Sequence, residues 1–441
     1  MPKILLISLG CDKNRVDSEK MLHLLDLEGY EVTDDETEAD VIIINSCCFI
    51  NDAKQESIDT ILEMARQKES GCCKALIVCG CMAQRYEKEI RESLPEVDAC
   101  VGTGGIAKIA EVIKDALGGK KDTVLEDVNS LPLEDGGRIL TTGGHYAYLK
   151  IAEGCDKHCT YCAIPMVRGR YRSVPRESLL KEAQSLADQG VKELILVAEE
   201  TTLYGTDLYG RKCLHELIHD LAEIRGIRWI RVLYCYPEEI YEDLISCMKT
   251  EKKFVHYLDL PIQHADDSIL KRMGRHTTNA DLRRIIAHLR EEVPDIVLRT
   301  TLITGFPGET EDQHEELCRF INEMELNRLG VFTYSQEEGT PAAKMDGQID
   351  EETKLNRLDE LMSLQQEISS DILQKTVGRE IECMIEGQAA GENVYVARSY
   401  GDAPDVDGYI FINTDENLMT GDFARVRITA ASDYDLTGEL V

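Results

Sequence analysis

Short apolar runs alternate with amphipathic stretches along most of the chain, and the alternation changes character twice. In the first region, up to about residue 119, residues 4–8, 40–45, 75–79 and 99–102 read as strands. Residues 18–27 and 53–67 read as helices, the second with Ile58, Ile61, Leu62 and Ala65 at three-and-four spacing. Strand–helix alternation with such short connections predicts an α/β fold with an open parallel sheet. Residues 120–145, rich in Gly, Asp and Glu and without a period, read as a linker. In the region 146–375 the alternation recurs six times, with strands expected at 147–151, 193–197, 230–234, 257–261, 298–303 and 329–334 and helices such as 178–189 and 312–324. Six units predict a partial or full (β/α)6 barrel. A following charged helix, 351–375, carries Leu355, Leu358, Leu361, Leu364, Ile368 and Ile372 and is expected to pack on that barrel. Beyond 376, alternating runs at 380–385, 394–397, 408–412, 423–429 and 436–440, separated by Gly and Asp, predict a small five-stranded antiparallel β-barrel of the OB-like kind. The expected domains are therefore 1–119, 146–375 and 376–441, with 120–145 between the first two.

A chain of 441 residues that is 43% hydrophobic exceeds one ordinary core and is not a disordered polymer. The start, Met1-Pro2-Lys3 followed by a short apolar run, does not read as a secretory signal, and no apolar stretch approaches the ~20 residues that cross a bilayer. The expectation is a cytoplasmic protein without membrane contact. In a reducing compartment its sixteen cysteines point to metal, catalysis or packing rather than disulfides. A net charge of −33 argues against affinity built on nucleic-acid phosphates and favours a cationic partner. A merely solubilising acidity is the alternative.

Cys155, Cys159 and Cys162 form a C-x3-C-x2-C loop just after an expected strand. Three thiolates so spaced can hold three irons of a 4Fe-4S cube and leave the fourth open, as a substrate-activating cluster requires. Structural zinc would want a fourth ligand; no further cysteine follows nearby, and His158 lies inside the loop. Cys11, Cys47 and Cys81 follow the first three expected strands, 36 and 34 residues apart. In an open parallel sheet such positions gather in one crevice at the carboxyl ends of the strands, which would make a second three-thiolate site; buried packing cysteines are the alternative. Packing is the preferred reading for Cys48, Cys79, Cys100, Cys213, Cys235, Cys247, Cys318 and Cys383, while Cys72 and Cys73 stay unassigned.

The Cys155–Cys162 loop resembles that of the radical S-adenosylmethionine (SAM) superfamily. The segments Leu9-Gly10-Cys11-Asp12-Lys13-Asn14, Asn45-Ser46-Cys47 and Gly80-Cys81-Met82-Ala83-Gln84-Arg85-Tyr86 resemble the amino-terminal domain of its methylthiotransferases, and the last region resembles their TRAM domain. Around Ala163-Ile164-Pro165, Arg168-Gly169, residues 258–264, 330–340 and 399–408 the chain is similar to the branch that modifies an aspartate of small-subunit ribosomal protein twelve. The resemblance implies two 4Fe-4S clusters, on Cys155, Cys159 and Cys162 and on Cys11, Cys47 and Cys81, with SAM as cofactor. It further implies a 5′-deoxyadenosyl radical that takes hydrogen from the aspartate β-carbon, sulfur supplied through the second cluster, and a flavodoxin or ferredoxin as reductant. Tyr161 is a candidate contact for the adenine ring or else a packing aromatic; Gly305-Phe306-Pro307-Gly308-Glu309 shapes the cofactor site or is a simple turn. One departure stands out: the family usually has Gln-Asp where this chain has Glu199-Glu200 before Thr201-Thr202, so substrate contacts at that strand end are expected to differ. Residues 376–441 hold 13 acidic residues against four Arg, a charge of −9, which suits a basic ribosomal protein or the small ribosomal subunit and argues against direct nucleic-acid binding by the TRAM region. The rivals are a tRNA methylthiotransferase with the same clusters and a non-catalytic iron–sulfur scaffold.

Overall fold

The computed structural model describes residues 2–133, 137–390 and 393–441. Six strands build the first sheet: β1 (Lys3–Ser8), β2 (Glu31–Val32), β3 (Val41–Ser46), β4 (Ala75–Gly80), β5 (Ala99–Val101) and β6 (Thr123–Val124). They run in the order β2-β1-β3-β4-β5-β6, every pair parallel. β3 and β4 are buried along their whole length, as strands with helices on both faces must be, and their sequences (VIIINS, ALIVCG) are apolar up to the last turn. The two edge strands, of two residues each, are too short to leave a period. One of them, β6, falls within the stretch expected to be a linker. That stretch is also tied down by Arg138, whose buried guanidinium bonds Glu19 (Nε to Oε2 3.0 Å) and Glu182 (2.9 Å); residues 134–136 of it lie outside the described residues. The first helix, Asp12–Leu27, begins six residues before the apolar period does. Its first turn is polar, and Lys13, Asn14 and Asp17 are buried against polar partners.

The second sheet comprises β7 (Tyr146–Lys150), then, beyond a two-residue hairpin of β8 (Ala152–Glu153) and β9 (Arg172–Ser173), β10 (Glu193–Val197), β11 (Trp229–Val232), β12 (Phe254–Asp259), β13 (Val297–Thr304) and β14 (Arg328–Thr333). The order is β14-β13-β12-β11-β10-β7, all parallel. β7 and β14 do not pair, so the barrel is partial. Its core sets Leu149, Leu194, Leu196, Ile230, Leu258 and Leu298 against helix residues such as Leu179, Leu217, Leu282 and Leu317. Helix Glu351–Gln374 lies on β14 and on helix Glu311–Met324 through Leu361 and Ile368, while Leu355 stays exposed.

The last five strands, β15 (Glu380–Gln388), β16 (Val394–Ser399), β17 (Ile410–Asn413), β18 (Phe423–Ala431) and β19 (Leu436–Leu440), close a barrel in the order β15-β16-β17-β19-β18. Four seams are antiparallel, as expected, but β17 and β19 pair in parallel. Alternation reports which face a residue takes and carries no information on strand direction. The barrel is riveted to the second sheet by buried charge: Glu193 accepts from Arg231 (Nε 2.7 Å) and Arg398 (Nη2 2.8 Å), all three fully buried, and Arg398 also reaches Glu386 (2.7 Å). Trp229 and Phe423 meet edge to face at 4.9 Å. Glu193→Ala would leave buried Arg231 without a carboxylate and Arg398 with Glu386 alone, so it should cost about 3–5 kcal/mol of stability in chemical denaturation; a loss below about 1 kcal/mol would show that the rivet is dispensable.

Candidate active site

The three early cysteines stand where neighbouring strands end. Cys47 and Cys81 directly follow β3 and β4; Cys11 follows β1 after Leu9-Gly10. Cys11 precedes helix Asp12–Leu27 in extended conformation and Cys81 opens helix Cys81–Ser93, so both sulfurs sit at helix amino termini, which favour anionic ligands. Close approach needs glycine here. A Cβ on Gly10 (φ +83°) would lie 2.6 Å from Cys47 Cβ, and one on Gly80 (φ +86°) would lie 2.3 Å from Asn45 Oδ1. Two asparagines lace the loops together: Asn14 Nδ2 donates to the carbonyls of Leu9 (3.0 Å) and Ser46 (3.1 Å), and Asn45 Nδ2 donates to that of Asn14 (2.8 Å). Burial raises the thiols of Cys47 and Cys81, the neighbouring Cys11 adds to this in both, and the Arg168 charge works against it.

The second trio lies on the loop after β7 and β8. The carbonyl of Cys159 accepts from Cys162 N (3.1 Å), and His158 takes a left-handed turn (φ +53°) that folds the loop. Thr160 anchors it through N to Met273 O (2.9 Å) and Oγ1 to Arg272 O (2.8 Å). Backbone N–H groups of Lys157 and Ile164 point at the sulfurs of Cys155 and Cys162, each at 3.5 Å, and Cys159 Sγ lies 3.4 Å from Tyr236 Oη. Burial pushes the Cys155 thiol up to about 12; metal coordination is what deprotonates such a sulfur. Tyr161 is half-buried and packs on the cluster of Ile269, Met273, Phe306 and Tyr334, to which the Gly305–Glu309 turn contributes Phe306.

In neither trio do all three sulfurs lie within 4.8 Å of one another. A single tetrahedral zinc with Zn–S bonds of about 2.3 Å would draw them to about 3.8 Å. Sulfurs held farther apart than that suit a cubane cluster better than one ion. Of the remaining cysteines, Cys48, Cys79, Cys100, Cys213, Cys235 and Cys383 are buried in packing positions, as is Cys73; Cys72 is exposed, and Cys247 and Cys318 are half-buried.

Both trios face one polar seam that the sequence did not reveal. The buried Arg168 guanidinium donates from Nη2 to Asn14 Oδ1 (2.5 Å), which also takes the Cys81 thiol (3.8 Å). From Nη1 it reaches Asp17 (3.1 Å) and Glu153 (2.6 Å), and its Nε lies 3.7 Å from Glu199 Oε1. Glu199 Oε2 in turn accepts from Gly154 N (3.0 Å), beside Cys155. Lys150 pairs with Asp17 and Glu153 on the far side. Burial would raise Glu153, but the Arg168 and Lys150 charges outweigh it and hold that carboxyl well below its usual range. At the front of the seam Lys13 Nζ lies 3.4 Å over the Tyr234 ring and 3.1 Å from Asp12, whose other oxygen is buried without a partner. The departure at Glu199-Glu200 thus splits. Glu199 enters the seam, whereas Glu200 turns back to accept from Thr202 N (2.8 Å). The only available hint was charge placed unusually, at Lys150 and Glu153 against the cysteine loop.

A curated relative from Lachnoclostridium phytofermentans, a ribosomal protein uS12 methylthiotransferase RimO, is 57% identical over 436 residues, 99% of both chains. The chain belongs to the RimO family. Further RimO relatives from Clostridium botulinum and Pelotomaculum thermopropionicum are each 50% identical, over 99% and 100% of this chain and 97% and 99% of theirs. Family models agree in pieces: uncharacterized protein family UPF0004 at residues 3–102, radical SAM superfamily at 149–321 and TRAM domain at 377–441. Solved structures share the fold alone. The radical SAM methyltransferase TsrM of Kitasatospora setae, with cobalamin and a [4Fe-4S] cluster bound, aligns at TM-score 0.56 and 14% identity over 77% of this chain and 74% of its own. The cobalamin-dependent radical enzyme OxsB aligns at 0.51 and 13% over 82% and 56%. As in the rest of the RimO family, the enzyme is a radical SAM methylthiotransferase using two 4Fe-4S clusters and SAM.

Burial drives the Glu200 carboxyl up to about 7, against hydrogen bonds from Thr202 that pull it down. A carboxyl raised on folding opposes folding once the unfolded chain ionises, a cost that grows above the usual Glu range and levels off above pH 7. Glu200→Gln keeps the acceptor for Thr202 and should gain about 2 kcal/mol relative to the parent between pH 5 and pH 8 in denaturant titrations; a pH-independent difference would refute the assignment.

Proposed function

We infer that this enzyme places a methylthio group on the β-carbon of an aspartate in ribosomal protein uS12. The observation that carries the reading is the pair of open thiol trios joined through Gly154, Glu199, Arg168 and Asn14. Cys155, Cys159 and Cys162 would hold the cluster that engages SAM, and Cys11, Cys47 and Cys81 would hold the one that supplies sulfur. When bound, these groups supply a carbon radical able to take an unactivated hydrogen, and the sulfur that replaces it. The chain does the positioning. Asn14 and Asn45 keep the three strand-end loops at fixed separation, the Thr160 anchors seat the second loop, and the Arg168 cluster fixes one trio against the other. Tyr161 and the Gly305–Glu309 turn, closed by Glu309 accepting from Phe306 N (3.0 Å), would border the cofactor. Lys13, held by Asp12 and Tyr234 beside Cys11, supplies positive charge for the substrate's carboxylate.

The acidic terminal barrel supports a basic protein partner, free uS12 or the small subunit, and not an RNA. Of its arginines, Arg398 is consumed in the rivet, and Arg425 and Arg427 pair with Glu380. Such a surface repels phosphates. A flavodoxin or ferredoxin is the fitting reductant. No helix among the described residues is long and apolar enough to cross a membrane, and ribosomal substrates lie in the cytoplasm.

Anaerobic reconstitution with reductant and SAM should yield 5′-deoxyadenosine and a uS12 peptide heavier by one methylthio group in place of hydrogen. Modified tRNA instead would establish the nucleoside-modifying alternative, and no 5′-deoxyadenosine would leave a scaffold. Changing Cys11, Cys47 and Cys81 together to Ala should lower bound iron from about eight to about four per chain while uncoupled SAM cleavage persists; unchanged iron would refute the second site.

A further inference from the structure

On the flank of the partial barrel, helices Glu311–Met324 and Glu351–Gln374 bring together a histidine, a cysteine and a carboxylate. His314 and Cys318 stand one turn apart on the first helix, on one face of it. Glu360 comes from the second. His314 Nε2 lies 3.0 Å from Glu360 Oε2 and 3.7 Å from Cys318 Sγ, and the three donor atoms all fall within 4.8 Å of one another. Among the described residues this is the only such group.

We propose that His314 Nε2, Cys318 Sγ and Glu360 Oε2 form a zinc site that clamps the terminal helix to the barrel. Nitrogen, sulfur and one carboxylate are a donor set for zinc rather than for magnesium or calcium, which take oxygen. Behind His314 stands a carboxylate, on the side where a metal-bound histidine directs its second ring nitrogen. His314 Nδ1 is buried, has no hydrogen-bond partner and faces Glu309 Oε1 at 3.9 Å. A ligand histidine gives its second ring nitrogen to a carboxylate, which fixes the tautomer. With zinc on Nε2 the ring proton sits on Nδ1, towards Glu309, itself held by Arg357 (3.2 Å) and Phe306 N. Without metal, Nε2–H donates to Glu360 and Nδ1 is orphaned in the interior. On binding, Cys318 releases its proton to solvent and the Glu360–histidine hydrogen bond is exchanged for two metal bonds. Glu360 is 59% exposed, so water completes the tetrahedron. Glu311 and Glu315 also place negative charge near Cys318. Residues 375–379 join helix Glu351–Gln374 to β15, so the clamp would hold the lead-in to the terminal barrel.

The cluster-loaded enzyme should be dialysed anaerobically against zinc, with zinc and iron quantified in the same sample and the zinc environment read from its K-edge X-ray absorption. The expected result is one zinc per chain with iron unchanged, in a shell of one sulfur and otherwise nitrogen and oxygen. Cys318→Ser should remove the sulfur and weaken zinc binding by about tenfold or more, and Glu360→Gln should weaken it with the sulfur retained. Neither side chain is fully buried, so both variants are expected to fold. No zinc retained at micromolar concentration, a shell with two or more sulfurs, or binding indifferent to Cys318→Ser would each overturn the proposal.

Discussion

One buried guanidinium holds the working part of this molecule together. Arg168 is 2% exposed and touches Asn14 and Asp17 from the first sheet's leading helix, Glu153 from β8 and Glu199 from just beyond β10. A charge taken out of water is tolerable only with all its partners in place, because removing one leaves the others uncompensated. The two α/β layers can therefore dock in essentially one relation, and the two cysteine trios inherit it. Lys150 extends the same network and keeps Glu153 ionised, so that two cations face Asp17, Glu153 and Glu199.

The parts of this arrangement that follow a period were legible in the sequence. Cysteines 36 and 34 residues apart, each after an apolar run, announced neighbouring strand ends, and β1, β3 and β4 are neighbours. The tight C-x3-C-x2-C loop was visible as spacing alone. What escaped has no period. The start of helix Asp12–Leu27 buries Lys13, Asn14 and Asp17 through hydrogen bonds and ion pairs, which hydrophobic patterning cannot register. Arg168 sat in a recognisable segment, yet nothing local said that its partners lay 15, 31, 151 and 154 residues away.

One further reading needed correction, and two more gained detail. Strand alternation predicted the closed terminal barrel but not its parallel β17–β19 seam, since chain direction is decided by the route between strands. Cys318 packs on the barrel core, as read, and has His314 and Glu360 beside it only because two helices far apart in sequence lie side by side. The Glu199-Glu200 departure looked like a single local change and is two: one side chain joins the seam, the other closes its own loop.

The parallel ladder has a metrological consequence. Ser8 pairs with Asn45, and Ser46 with Gly80, so the sulfur-bearing residues are metered by strand alignment itself. Slipping β3 by one residue would carry Cys47 about 3.3 Å along the strand and turn alternate side chains to the opposite face, out of the notch that Gly10 leaves for it. The sheet is a ruler whose graduations are backbone hydrogen bonds, and the tolerance of the site is the tolerance of that ruler.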